Sequence, residues 1–420
     1  RSLDILPQPT LFVHLLKMSD RKVYAHYMVG ITSGQTSDQW TNDINDAKSV
    51  GIDGFALNIG PSDSYTLEQM RLAFAAAESI GGFTLFPSFD MAVGEWDVQT
   101  VIDIINEFKS SSAHAKKNSS PLISTFEGPG WSGNWATVRS GTGGIYLVPD
   151  WSSLGPDGVA GKLDQIDGHF SWNAWPGPGS KNLTAVEDER YIEVLGDKSY
   201  MMGISPWFYT NLPQYSKNWF STGDTLWYDR WQQAIDLLPD MIEIITWNDF
   251  GESSYISDIV GKQIVSGANA YVDGYDHSAF RTVLPYFTAA YKAGNRAISP
   301  SNGDQAIAWY RTTKATLGAD GGTVWGQGGS QSASLGTSDT VNVLTITVDE
   351  QDIQVAIGDS SKTFRTGSGG QPANFVQVPF GELTGAVSLT LGDRNVVGPS
   401  ITNNLPSTGY VNFNALAIAL

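Results

Sequence analysis

Up to about residue 295, short runs of β-branched and aromatic residues alternate with longer segments whose apolar positions recur at helical spacing. The runs predict strands at 23–29 (VYAHYMV), 53–59 (DGFALNI), 83–89 (FTLFPSF), 121–127 (PLISTFE), 145–149 (IYLVP), 168–172 (GHFSW), 200–205 (YMMGIS) and 241–247 (MIEIITW). SDQWTNDINDAKSVG, with Ser37 as its expected cap and Gly51 as its stop, predicts the first helix. TLEQMRLAFAAAESIGG, DVQTVIDIINEFKSS, VEDERYIEVLG and TLWYDRWQQAIDLL predict others, SAFRTVLPYFTAAYKAG follows the last strand, and a weaker helix surrounds NWATVRS. Strands alternating with helices eight times over roughly 270 residues predict a (β/α)8 TIM barrel. The competing doubly wound sheet would place a Gly-rich phosphate turn after its first strand, and YMVGITSGQTS lacks that spacing.

The texture changes after AISPSNGDQ, a turn-rich joint. DQAIAWYRTT reads as helix or strand. VNVLTITVDE, DIQVAIG, NFVQVPF, GAVSLTLG and YVNFNALAIAL then alternate between Gly/Ser/Asn turns, which predicts a small β-sandwich. The expected organisation is an α/β chain: a (β/α)8 catalytic barrel over 1–297 and an all-β sandwich accessory domain over 298–420.

In a (β/α)8 barrel the reacting side chains project from the C-terminal ends of the strands. Those positions hold His26, Asn58, Asp90, Glu127, Trp172, Trp175, Trp207, Tyr209, Trp247, Asn248, Asp249 and Glu252. The rim is nearly free of Lys and Arg, which argues against a phosphate site. Five His and no HExxH argue against a metal centre, and a GxSxG elbow is missing. Carboxylates and indoles without a cofactor motif are the make-up of a glycoside hydrolase, so no cofactor is expected.

Breaking an acetal needs one carboxylic acid to protonate the leaving oxygen and a second carboxylate to activate water or attack the sugar. Two carboxylates about 5 Å apart repel by about 3 kcal/mol at an effective dielectric near 20, which separates their pKa values and leaves one protonated. Asp249 and Glu252 are three residues apart, and positions three apart share a face of a helical turn. The same spacing also describes a helix N-terminus, Asp as cap and Glu in the first turn. Asp90 and Glu127 could equally cap helices, the tryptophans could pack between helices, and His26 inside a strand reads first as a core histidine. Asp63 and Asp150 lie in turn-like sequence and read as structural.

Composition narrows the partner. Net charge is -18 and the pI about 4.5, which excludes the basic surface that nucleic acid or an anionic membrane requires. The longest apolar run near the start, LFVHLL, is too short to span a membrane, and there is no cysteine for a disulfide or thiolate site. Trp and Tyr number 14 and 16, enough for either a large aromatic core or a surface that stacks on sugar rings. A start at Arg1 rather than Met fits removal of a signal peptide, and two sequons, at Asn118 and Asn182, give secretion weak support.

KVYAHYMVG, DAKSVGIDGFALNIG, LFPSFDM, STFEG and EIITWNDFGESSYI, in that order between residues 22 and 295, resemble glycoside hydrolase family 71, the fungal α-1,3-glucanases or mutanases. AWYRTTKA looks like the opening of the β-sandwich that accompanies the barrel in that family. The resemblance implies a secreted, possibly cell-wall-associated enzyme that hydrolyses α-1,3-glucan with inversion and without a cofactor. It places the paired acids on Asp249 and Glu252, and a third carboxylate on Asp53 or Asp90. Asp90 is preferred, because Asp53 begins its strand and so lies at the wrong end of a barrel. Glu252, with the longer side chain, is expected as the acid and Asp249 as the base. Trp172, Trp175, Trp207, Tyr209 and Trp247 would line sugar subsites; His26, Asp90, Glu127 and Asn248 would bond hydroxyls. The expected partner is the polysaccharide alone, bound by a monomer. A barrel glycosidase acting on another glucan, and a non-catalytic glucan-binding protein, are the alternatives.

Overall fold

The computed structural model describes residues 21–420, so LFVHLL lies outside the described residues. Eight strands follow one another in parallel: β1 (Lys22–Met28), β2 (Gly54–Ile59), β3 (Thr84–Asp90), β4 (Ser120–Phe126), β5 (Tyr146–Leu147), β6 (Gly168–Ser171), β7 (Ser199–Ile204) and β8 (Met241–Ile244). They are ordered β4-β3-β2-β1-β8-β7-β6, and β5 pairs with β4. Just past β5, Asp150 makes parallel bridges to Phe126 of β4 and to Phe170 of β6. The chain is a mixed α/β protein with a curled parallel sheet, helices outside it and further sheets beyond.

Alternation along each strand sorts its side chains. Tyr24, Ala56, Phe86, Leu122, Phe170, Met201, Met241 and Ile245 form one buried cluster inside the curl. Their neighbours Val23, Phe55, Leu85, Ile123, Met202 and Ile242 face outward, into the larger core beneath the helices. His26, Asn58 and Asp90 share the inward parity and lie at the C-terminal ends, so the sequence delivers polar groups where the apolar filling stops.

The first helix, Ser37–Ser49, is capped one residue earlier than expected. Thr36 accepts from the Gln39 amide while the Gln39 side chain accepts from the Thr36 amide. This capping box requires Gln or Glu three residues after the cap, which Thr36 has and Ser37 does not. The last predicted helix divides at Pro285 into a 3-10 turn, Ser278–Val283, and an α-helix, Leu284–Ala293. Proline sits near the start of the α-helix, where its missing N–H costs nothing.

Beyond residue 300, QAIAWY is a strand, Gln305–Tyr310. It joins Thr340–Ile346, Ala373–Pro379 and Leu416–Ala419 in an antiparallel sheet; a second one holds Gln351–Ile357, Ser360–Thr366, Gly385–Leu391 and Arg394–Ile401. Ala306, Ala308, Val341 and Val343 meet Val355, Val387 and Leu389 between the two sheets. The opposite parity, Ile307, Trp309, Leu344 and Ile346, joins the core of the parallel-sheet region. A three-stranded sheet ties the regions further: the antiparallel hairpin Phe208–Leu212 and Lys217–Ser221 is extended in parallel by Val324–Trp325.

Candidate active site

A cleft of about 780 Å³ opens at the C-terminal ends of the parallel strands. His26, Asn58 and Asp90, all inward-facing, form part of its floor, and Glu127, Trp172, Trp175, Asp249 and Glu252 line it. Seven of the residues expected at the site therefore converge: His26, Asp90, Glu127, Trp172, Trp175, Asp249 and Glu252.

The segment after β8 is built to present two carboxylates. The chain leaves the sheet at Ile245 and folds back, with Thr246 N donating to Ser254 O and Ile256 N to Thr246 O. Thr246 Oγ1 accepts from Asp249 N at 2.8 Å, and Asp249 Oδ1 accepts from Glu252 N at 3.0 Å. Asp249 thus caps the short 3-10 turn Phe250–Glu252. The capping and the catalytic readings of this spacing describe one arrangement: the cap fixes one oxygen of Asp249, and the turn it starts delivers Glu252 to the same cleft.

The electrostatics of the pair are unequal. Burial first, and then the Glu252 charge, push Asp249 up to about 7, against the opposing pull of Lys217, the Glu252 amide and His26. Glu252 accepts an ion pair from Lys217 Nζ at 2.7 Å, and that carboxylate is the main reason the Lys217 ammonium is held above its ordinary range. Burial and the neighbouring carboxylate thus push Asp249 up, while Glu252 faces the Lys217 ammonium.

Asp90 ends β3; burial raises it, and the Ala92 amide, donating to Oδ1 at 3.0 Å, opposes this. Asp53 lies far from the cleft, accepting from Val23 N at 2.8 Å and pairing with Lys292 at 2.8 Å. His26 both lines the cleft and has a buried partner: its Nδ1 lies 2.6 Å from Glu243 Oε1, and its ring meets Trp172 edge-on at 4.8 Å. Glu243, a carboxylate inside the core of β8, went unnoticed in the sequence, where a lone charge at inward parity within MIEII was the available signal.

Glu127 sits at a left-handed φ of 54°, and Gly128 after it at 90°, so the chain turns sharply off β4. A Cβ on Gly128 would come within 2.4 Å of the Met91 side chain. Glu127 accepts from Ser153 N at 3.0 Å, which ties it to the 3-10 turn Ser152–Leu154 while it lines the cleft. Asp150 accepts from Ser152, whose hydroxyl accepts from Trp172 N at 2.8 Å and so sets the position of that indole.

Four expected residues lie outside the cleft wall. Trp207 is buried and donates to Phe413 O at 3.0 Å, while Tyr209 packs against Tyr271 and Phe413. Phe208 between them has the opposite parity and faces the cleft. Trp247 is buried against Phe55 with Arg281 over its ring. Asn248 clamps the segment to β1, accepting from Met28 N at 2.8 Å and donating to Met28 O. Among the described residues the lining holds one Lys or Arg side chain, Lys217, so it is nearly free of Lys and Arg as expected. Lys217 and Trp219 arrive on the Phe208–Ser221 hairpin, and Gln327 comes from beyond residue 298. The alternation in KNWFS after LPQYS was the signal for that hairpin.

An aromatic wall runs outward from the carboxylates. Trp172 and Trp175 are 6.3 Å apart, Trp175 meets Phe208 edge-on at 4.9 Å, and Phe208 stacks on Trp219 at 5.3 Å with planes 12° apart. Apolar faces beside paired acids are the equipment of a protein that binds and cleaves sugar chains.

Comparison with known proteins narrows that class. The model of glycosyl hydrolase family 71 matches residues 19–420, and the chain belongs to this family. It is 34% identical to the glucan endo-1,3-alpha-glucosidase agn1 of Schizosaccharomyces pombe, with 96% of each chain covered. It is 33% identical to a mutanase of Penicillium rubens, over 94% of this chain and 85% of the relative, and 28% identical to an ascus wall endo-1,3-alpha-glucanase of Schizosaccharomyces pombe, over 85% and 86%. Among solved structures, the GH99 endo-alpha-mannosidase of Bacteroides thetaiotaomicron matches with a TM-score of 0.51 at 12% identity, covering 66% of this chain and 99% of that one; this likeness concerns the fold alone.

Proposed function

We propose that this protein hydrolyses the α-1,3-glucosidic linkages of α-1,3-glucan, with Asp249 as general acid and Glu252 as the ionised carboxylate that activates water. Family membership and the names of its relatives support the substrate. The observation that carries the roles is the asymmetry of the pair: burial and the Glu252 charge raise Asp249 to about 7, while Lys217 sits 2.7 Å from Glu252. These roles reverse the expectation from side-chain length, since local charge, not reach, decides which carboxyl keeps a proton. Asp249 would protonate the glycosidic oxygen as the bond breaks. Glu252 would take a proton from water attacking the anomeric carbon, and an attack opposite the leaving group inverts that centre. Asp90, Asn58, His26 and Glu127 would bond hydroxyls, and Trp172, Trp175, Phe208 and Trp219 would carry sugar faces.

In this reading the curled sheet is a (β/α)8 barrel, supported by the bridges of Asp150 to both β4 and β6. The catalytic unit would run to 297 and the sandwich over 298–420, supported by the change to antiparallel sheets after Gln305. Secretion to the wall fits the ascus wall relative. Among the described residues no helix is long and apolar enough to cross a membrane.

The test is reducing-sugar release from insoluble α-1,3-glucan by wild type, Asp249→Asn and Glu252→Gln, with the anomer of the first product read by NMR. Each variant should lose activity on the order of 10²–10⁴-fold. On an α-1,3-glucan oligosaccharide fluoride, whose leaving group needs no acid, Asp249→Asn should recover and Glu252→Gln should not. The opposite pattern would exchange the roles, and release from other glucans at equal rates would remove the linkage.

A further inference from the structure

The cation in the cleft belongs to neither the parallel strands nor the loop that bears the acids. Lys217 opens the second strand of the hairpin, paired with Leu212 across it. That strand is fixed on its other edge by the C-terminal region: Trp219 pairs with Val324 and Phe220 with Trp325. Gly326 N donates to Phe220 O at 2.7 Å, Asn218 Nδ2 to Gly321 O at 3.0 Å, and Thr323 Oγ1 to Asn218 Oδ1 at 2.7 Å. Phe220 is fully buried, so the strand cannot slide without unpacking it. The backbone that carries Lys217 is therefore anchored, and from it the ammonium reaches Glu252 Oε1 at 2.7 Å.

We infer that Lys217 is a positioning residue for the hydrolysis: its ammonium aims the Glu252 carboxylate, and the strand Val324–Trp325 of the C-terminal region anchors the hairpin strand that carries it. This rests on the roles proposed above. Three carboxylates act on the Lys217 charge, Glu252 first, then Asp249 on the same loop and Asp90 at the end of β3. His26 acts in turn on Asp249 and Asp90, with Glu243 buried behind it. Lys217 opposes the rise of Asp249 as well as pairing with Glu252, so its removal lets Asp249 rise further. The alkaline limb of the activity profile, where the acid must be protonated, should move to higher pH.

The chain has no cysteine, so a cysteine placed at 217 is the only thiol for alkylation. The experiment compares wild type, Lys217→Met and Lys217→Cys on α-1,3-glucan oligosaccharides across pH, the cysteine variant being treated with 2-bromoethylamine, which restores an ammonium, or with iodoacetamide, which does not. Lys217→Met and the iodoacetamide product should lose about 10–100-fold in kcat, with the alkaline limb raised. The aminoethylated product should recover rate and profile together. Both adducts are made on one folded polypeptide, so a folding defect would appear in both. Wild-type rate and alkaline limb in Lys217→Met or the iodoacetamide product would overturn the inference while leaving the acids in place. Activity retained by Asp249→Asn and Glu252→Gln would overturn the proposed function and this inference with it.

Discussion

The two ends of the parallel sheet use the same residue type to opposite purposes. At the N-terminal end, Asp53, Asp167 and Asp240 each stand immediately before a strand and accept a backbone N–H of the adjacent one, from Val23, Leu147 and Tyr200 at 2.8, 2.8 and 3.0 Å. Lys292 and Arg139, in the last turns of their helices, complete two of these at 2.8 and 2.7 Å. At the C-terminal end, Asp90 and Asp249 are raised by burial, and Asp249 is pushed further by a second carboxylate. Chain direction explains the contrast. Helices run antiparallel to the strands they follow, so their C-termini, which favour cations, collect where the strands begin. A carboxylate there is satisfied and structural. At the other end it meets few cations, and its proton becomes available for chemistry.

Substitutions should separate these two roles, and the largest effect should be catalytic. Asp249→Asn should reduce kcat on the order of 10³-fold while keeping the wild-type melting temperature or exceeding it, because it removes a buried group whose ionisation opposes folding. In the wild type, kcat/KM should fall as pH rises through about 7, where Asp249 loses its proton. A profile flat to pH 9 would contradict that role.

Next in size, Trp175→Ala should raise KM for oligosaccharides about tenfold by removing about 1–2 kcal/mol of stacking, whereas Trp207→Ala should mainly unfold the protein, since that indole is buried against the C-terminal region. Equal effects on KM in the two variants would erase the distinction between cleft wall and core.

At the other end, Asp53→Ala should cost about 1–3 kcal/mol of stability by stranding Val23 N and breaking the ion pair with Lys292, with kcat unchanged. Denaturant titration beside initial rates would read both quantities.

A pH-dependent effect tests burial without catalysis. Asp150 is buried, one of its oxygens has no partner, and burial pushes it up to about 7. A carboxyl raised in the folded state binds its proton more tightly there. Its stabilising contribution is therefore full at low pH and is lost as pH rises from about 4 to about 7, by at most about 1 kcal/mol per unit. Asp150→Asn should lack this slope, so its melting temperature should gain on wild type across that window. Parallel curves would show that Asp150 does not titrate there.

Much of this was legible in the sequence. Every predicted parallel strand exists, because each is a short run rich in β-branched and aromatic residues bounded by turn chemistry. The block WNDFGE pointed to the acids because cap spacing and paired-acid spacing coincide in one local segment. What failed was facing: Trp207, Tyr209 and Trp247 were assigned to the cleft because they follow strands, whereas Phe208 and Trp219 occupy it. Side-chain direction past a strand end depends on what the departing chain packs against, which for these residues is Phe413, Phe55 and Arg281.

The sequence by itself determined the elements, their order, and which strand ends carry carboxylates, since periodicity, turns and caps act over a few residues. Only the tertiary structure set the unequal surroundings of the two carboxyls. Their inequality depends on burial and on a charge 2.7 Å away, carried by Lys217, 35 positions distant in the chain and held in place by a strand more than a hundred residues further on. Coulomb energy follows distance in space, and folding alone sets that distance.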